Sequence, residues 1–235
     1  MSVRQYYELR IYSFVSSEHR ARFDGFLEHA ELPAYARLGV EPIGVFTGVY
    51  GPDNASLFVL IPHRDLESTV AARERVLEDS AYLDAGRSVL GTDIAHPAYS
   101  RVETRLLRAF TGIPELELPT VNRERKGRIF EIRCYESHSR RAAAKKMQMF
   151  NEGGEIEIFR KTGLSPVMFG ETIFGPRMPN LTYMLTFDDM AHRDRAWETF
   201  KSHPDWIALK SDAQYADTVS TITDVILSPA AYSQM

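Results

Sequence analysis

The stretch Tyr6–Phe14, "YYELRIYSF", alternates large apolar and polar side chains, and Ile129–Ser137, "IFEIRCYES", repeats the pattern near the middle of the chain. Both read as β-strands, because successive side chains of a strand point to opposite faces and a period of two sorts them. One face of the first strand carries Tyr7, Leu9 and Ile11, and the other carries Glu8, Arg10 and Tyr12. The second strand places Glu131, Arg133 and Tyr135 in the same polar row.

Working outward from these strands, Glu8 answers Glu131 at an offset of 123 and Gly39 answers Gly163 at 124, so one residue is inserted between the two points. Beyond it, "LGVEP" at Leu38 answers "TGLSP" at Thr162, "VYGP" at Val49 answers "IFGP" at Ile173, and Tyr82 answers Trp206. Such a period is far longer than a solenoid repeat, so each copy is expected to be a small domain. The domains are expected at 1–111 and 128–235. Residues 112–127, "GIPELELPTVNRERKG", hold two prolines and a charged run without apolar periodicity, and read as the linker.

Within the first copy, 6–14 is a strand and 18–38 a helix with Phe23, Phe26, Leu27, Ala30 and Ala34 at helical spacing, interrupted near Pro33. Two apolar segments around "GPDNAS" form a hairpin, 66–77 is a second helix, and 100–109 a last strand. The second copy repeats the order, with "EGGE" at Glu152–Glu155 marking a break in its first helix. The expected class is therefore α+β: two ferredoxin-like βαββαβ domains, each a four-stranded sheet with helices on one face, packed sheet to sheet as a barrel.

On this arrangement the apolar row of each first strand is expected to meet the helices. The polar row would then face the space between the sheets, joined by Arg101, Glu103 and Arg105. Two functions follow for it. Glu and Arg on adjacent strands can satisfy one another as register-fixing ion pairs. Alternatively Arg10, Tyr12, Arg133 and Tyr135 can line a cavity and hold an anionic or polar group of a ligand, since the guanidinium fork suits such groups. These four are the ligand-binding candidates.

Catalytic signals are sparse. The seven histidines show no H-E-x-x-H pair, so no metal site is expected, and no phosphate-binding glycine loop or nucleophile elbow is present. His29 falls off the apolar stripe of its helix and reads as solvated. His63 follows the strand "LFVLIP" and is the one candidate for proton transfer at a cavity mouth, with a solvated loop histidine as the plainer reading. Cys134 should be an inert buried thiol, and Trp197 and Trp206 anchors of the second helix.

A formal charge of −4 with no basic cluster argues against a nucleic-acid partner, and no apolar run approaches a bilayer span. With one cysteine there is no intramolecular disulfide, and the N-terminus leads directly into a strand; a cytoplasmic location is expected. Sheet edges could pair between chains, giving a homodimer.

The run E-[LI]-R-x-Y, the helix closed by G-[VL]-x-P, the "GP" before a strand, and "DDMAHRDRAWETFKSHPDWIALK" together resemble the NIPSNAP family. The match is clearest in the second copy, at Arg195, Trp197, Phe200, Pro204 and Trp206; the first copy has Arg73 and Tyr82 where the second has Trp197 and Trp206. The resemblance implies the dimeric α/β-barrel superfamily, whose members include cofactor-independent monooxygenases, haem-degrading enzymes and decarboxylases. For eukaryotic NIPSNAP proteins it implies mitochondrial and vesicle or mitophagy roles. The resulting expectation is a barrel binding a small molecule between its sheets, in the manner of a cofactor-independent oxidoreductase and with no cofactor; the rival is a non-enzymatic scaffold with a packed interior.

Overall fold

The two Glu-Arg-Tyr strands lie in different halves of one closed barrel. The computed structural model describes residues 4–53, 55–118 and 127–235. In the first half the order is β1 (Tyr6–Ser13), α1 (Ser17–Phe26), a π-helical turn (Leu27–Glu31), α2 (Leu32–Arg37), β2 (Gly44–Tyr50) and β3 (Leu57–His63). There follow α3 (Leu66–Arg75), α4 (Ser80–Ala85), α5 (Arg87–Leu90) and β4 (Arg101–Ala109). The second half has β5 (Ile129–Glu136), α6 (Arg140–Asn151), α7 (Glu155–Lys161), β6 (Ser165–Phe174), β7 (Asn180–Phe187), α8 (Met190–Ser202), α9 (Pro204–Lys210) and β8 (Thr221–Pro229).

Four of the helices begin where a short polar side chain that follows a strand takes up a free backbone N–H. Ser16, Asp65, Ser139 and Asp189 cap α1, α3, α6 and α8 in this way, and Asp65 and Ser68 cap each other reciprocally. The predicted breaks both occur. Around Pro33 the first helix passes through the π turn, in which Leu32 N–H reaches back to the Leu27 carbonyl. At "EGGE", Gly154 takes a positive φ of 84° and separates α6 from α7.

The strands run β1-β3-β2-β8-β5-β7-β6-β4 around the barrel, all neighbours antiparallel, with β2–β8 and β4–β6 joining the halves. Every strand therefore has two partners, and the edge-to-edge route to a homodimer has no free edge to use. The fold is the α+β, ferredoxin-like barrel expected. Part of the linker, 119–126, lies outside the described residues. Its described beginning is tied to the barrel: Gln5 N–H donates to the Pro114 carbonyl and Glu117 N–H to that of Val167, each at 2.9 Å.

The facing of the strands reverses the expectation. Tyr7, Leu9 and Ile11 point into the barrel, where they join Phe46, Phe58, Leu60, Leu107, Phe130, Ile132, Met168, Met184 and Leu227 in one apolar core. Arg101, Glu103 and Arg105 pair with Ser13, Ile11 and Leu9 and so belong to that inward-facing set, toward one end of the barrel. Glu8, Arg10 and Tyr12 point outward beneath the helices, as do Glu131, Arg133 and Tyr135. The cause is desolvation: a closed barrel offers water no access to most of its interior, whereas the helices supply polar partners to the outer face. The space between the sheets is consequently filled; near one end only about 20 Å³ is left beside Leu9, Phe58, Ile132 and Cys134.

Phe46 on β2 and Phe130 on β5 meet inside this core with ring centroids 4.7 Å apart, linking the two halves. Phe130→Ala should cost about 3–5 kcal/mol through lost burial and the cavity left behind, read as a lower midpoint in urea unfolding.

Candidate functional site

The outward polar rows differ between the halves. In the first half, Arg10 is clamped by its own strand and by the helix above. Its Nε and Nη2 donate to the two Glu8 oxygens at 2.8 and 3.0 Å, Nη1 donates to Glu31 at 2.6 Å, and Nη2 also donates to the Tyr35 hydroxyl at 2.8 Å. Glu31 is the last residue of the π turn and Tyr35 lies in α2. Leu27 and Glu31, four residues apart, lie on the buried side while Glu28 and His29 stay exposed, so the solvated reading of His29 holds.

This cluster forms part of the wall of a cavity of about 540 Å³ between the first-half sheet and its helices. Arg10, Tyr12, Glu31 and Tyr35 line its polar side; Phe23, Phe26, Val76, Tyr82, Val89 and Tyr99 line its apolar side. Thr104 enters from β4, directly across from Arg10. The size is within the usual range for small-molecule sites, and the combination of an apolar lining with few convergent polar groups is typical of them.

Charge in the cluster is unevenly held. Burial alone would raise the Glu8 carboxyl, but the close His63 and Arg10 and the charge of Arg73 outweigh it and bring it down to about 2. Glu31 shows the opposite balance: burial pushes it above its ordinary value of 4.5 against the pull of Arg10. Burial likewise raises Tyr12 and Tyr35, which therefore stay protonated. The cavity thus combines a fixed carboxylate–guanidinium pair with a second carboxyl, Glu31, whose hold on a proton is strengthened by burial.

The second-half row is closed. Glu131 accepts from Arg133 at 3.0 Å, from Arg193 at 2.7 and 3.0 Å, and from the Trp197 indole at 2.8 Å. Arg133 lies over the Trp197 ring at 4.6 Å, and the Tyr183 hydroxyl donates to Tyr135 at 2.9 Å. Glu155, which stands at the 124-residue offset from Glu31, is neutralised by Lys146 at 2.7 Å. The same offset sets Tyr183, Trp197 and Phe200 against Val59, Arg73 and Val76. These larger rings pack around Phe159, where the first half has open space. Of the four ligand candidates, the structure therefore brings Arg10 and Tyr12 to a cavity, and packs the half-buried Arg133 and the buried Tyr135 against rings of the second half. None of the four faces the space between the sheets.

His63 is neither a loop residue nor at the cavity mouth. The third strand runs on through Pro62 to include His63, which sits fully buried with Nε2 3.6 Å from Glu8. Neither ring nitrogen has a hydrogen-bond partner among the described residues. It stands behind the cluster, as a neighbour of Glu8, and does not line the cavity. Cys134 is buried as expected, and its thiol is pushed up by burial. Glu31, Tyr35, Tyr82 and Tyr99 were not among the candidates. The legible signal for Glu31 was a carboxylate on the apolar stripe, between Leu27 and Ala34, answered by Glu155 in the other copy. No group of three or more metal-ligating side chains occurs among the described residues.

The NIPSNAP family model matches residues 7–90 and 130–234, and the chain belongs to the NIPSNAP family, with two tandem NIPSNAP regions. No curated protein matches the sequence. A Lactobacillus acidophilus protein provisionally designated a monooxygenase aligns over 96% of this chain and 94% of its own at 9% identity, with a TM-score of 0.61. An anthrone oxidase-like protein aligns over 97% and 92% at 10% identity and a TM-score of 0.51, and a protein provisionally designated a chlorite dismutase over 99% and 97% at 11% and 0.54. At such identities the likeness is one of fold alone.

The Glu8 pair gives a pH-dependent prediction. A carboxyl whose folded value lies below its unfolded 4.5 stabilises the fold above that pH, and the contribution disappears as the pH falls toward about 2. Glu8→Gln should therefore lower stability by about 3 kcal/mol at pH 7, leaving Arg10 short of its partner. The difference from wild type should shrink through this acid window in urea titrations run at a series of pH values.

Proposed function

We propose that this chain binds a small molecule in the first-half cavity and exchanges a proton with it through Glu31. That is the opening step required of a cofactor-independent oxidoreductase, which must first make its substrate an electron-rich anion. The observation that carries the reading is the coincidence of a cavity with a buried, upward-shifted carboxyl on its wall. A buried carboxyl with a strengthened hold on a proton, kept in place by Arg10, is suited to such a transfer. The relatives' oxidoreductase designations point the same way without assigning a substrate.

The site in this proposal is Arg10, Tyr12, Glu31 and Tyr35, with His63 behind Glu8 as a positioning residue. Arg133 and Tyr135 are given a structural role. The two copies are proposed as domains 1–111 and 128–235 about the linker 112–127. No helix among the described residues is long and apolar enough to cross a membrane. A cytoplasmic location is part of the proposal, and a homodimer would have to join helical surfaces. The filled space between the sheets agrees with the rival scaffold reading, but the first-half cavity favours the binder.

The fluorescent phenol 2-naphthol tests both parts of the reading, because its emission separates the neutral molecule from the naphtholate. Wild type should bind it and, as Glu31 ionises with rising pH, promote naphtholate emission from the bound probe. Val76→Phe, which installs the second-half ring of Phe200, should abolish binding with little change in thermal midpoint. Glu31→Gln should keep the binding and lose the naphtholate signal. Equal binding by Val76→Phe would remove the cavity from consideration as the site.

A further inference from the structure

The rim of the cavity is made of apolar side chains that the fold leaves in water. Leu77, Leu90, Ile94 and Val102 all line the cavity, and all are exposed, Ile94 at 99%. Tyr99 joins them at the edge. Scattered exposed apolar residues need no explanation, but a group continuous with the lining of one cavity marks a surface meant to be covered.

Ile94 and Tyr99 are not free to retreat, because the segment that bears them is pinned. The Arg22 guanidinium donates from Nη2 to the carbonyls of His96 and Pro97 at 3.3 and 3.0 Å. Tyr99 packs on Tyr12 and Phe23, with centroids 5.2 and 5.7 Å away. Ser100 N–H donates to the Ser13 carbonyl at 2.8 Å. The segment is a fixed wall, and whatever covers Ile94 must come from outside it.

At the polar end the chemistry is equally restrictive. Nε, Nη1 and Nη2 of Arg10 are all engaged by Glu8, Glu31 and Tyr35. A permanent anion would have to compete with Glu31 for the guanidinium and could be held only with Glu31 protonated, which takes up a proton and weakens its binding as the pH rises. A hydroxyl needs only one acceptor and can share its proton with Glu31. Around it, the rings of Tyr12, Phe23, Phe26, Tyr35, Tyr82 and Tyr99 offer faces and edges suited to a flat ring.

We infer that the ligand is amphipathic: a hydroxyl-bearing ring seated against Arg10, Glu31 and Tyr35, carrying an aliphatic tail that leaves the cavity over Leu77, Leu90, Ile94 and Val102. The inference rests on the cavity being the ligand site. The tail covers the rim, the ring fills the aromatic part, and the hydroxyl meets the carboxyl. Burial of each methylene should tighten binding by roughly three- to fourfold until the tail passes the rim.

The test is calorimetric titration of the wild-type protein with 4-alkylphenols from ethyl to octyl, beside straight-chain alkanoates of matching length. Affinity should rise steadily along the phenol series, and the alkanoates should bind more weakly than the phenols. The double variant Leu90→Ser and Ile94→Ser should bind 4-ethylphenol as wild type does and lose at least tenfold for 4-octylphenol. A flat phenol series, an unchanged slope in the rim variant, or tighter alkanoates would each overturn the amphipathic ligand while leaving the cavity as the site. Native mass spectra that show a wild-type dimer and a monomeric rim variant, with no change in slope, would assign the rim to a second copy and likewise overturn it. If no phenol binds at any length, or if Val76→Phe binds them all as wild type does, the failure lies with the cavity as the site.

Discussion

Closure of the barrel is the constraint on which the rest depends. Once β2 pairs with β8 and β4 with β6, both sheet edges are used and the enclosed space is walled on every side by backbone already engaged in ladders. Side chains pointing inward find few polar partners there, so the interior is filled mainly by Tyr7, Leu9, Phe46, Phe130, Met168 and their neighbours. The Glu-Arg-Tyr rows must then lie outside, where the helices can answer them. Everything chemically active in the molecule follows from that partition, including the network that joins Arg10 to Glu8, Glu31 and Tyr35.

The same row in the two halves shows how packing decides whether a polar cluster becomes a site. Glu131 is saturated by Arg133, Arg193 and Trp197, and Glu155 by Lys146, so the second-half cluster serves to fasten helices to the sheet. In the first half, smaller side chains at Val59 and Val76 and a flexible arginine at Arg73 leave volume beside equivalent chemistry. The two halves hold similar buried carboxylates at Glu31 and Glu155; they differ in the space beside them.

Much of this was legible in the sequence. A period of two marked the strands, the repeat offset gave the architecture, and Pro33 and "EGGE" marked the interruptions in the two long helices. The facing of the strands was not legible, because both sides of each strand are covered and alternation alone cannot say which cover is dry. An apolar row suits a helix layer and a barrel interior equally. The position of His63 was missed for a related reason: Pro62 suggested that the strand had ended, yet β3 continues through it and buries the ring. Glu31 could have been found, since a carboxylate among Leu27, Ala30 and Ala34 breaks the stripe that the helix otherwise keeps. Tyr35, four residues on and so on the same helical face, carries no such signal by itself, and its role appears only where Arg10 meets both side chains.

Joining two copies in one chain also changes the stoichiometry of the barrel. Two identical single-copy chains forming the same barrel would carry two equal sites, and any substitution that enlarged one would enlarge the other and loosen both helix layers together. Here the half holding Trp197, Phe159 and Phe200 keeps its rings stacked on one another while the other half gives up that material. One side acts as ballast and the other is free to be hollow, so that a single barrel can carry one cavity without softening throughout.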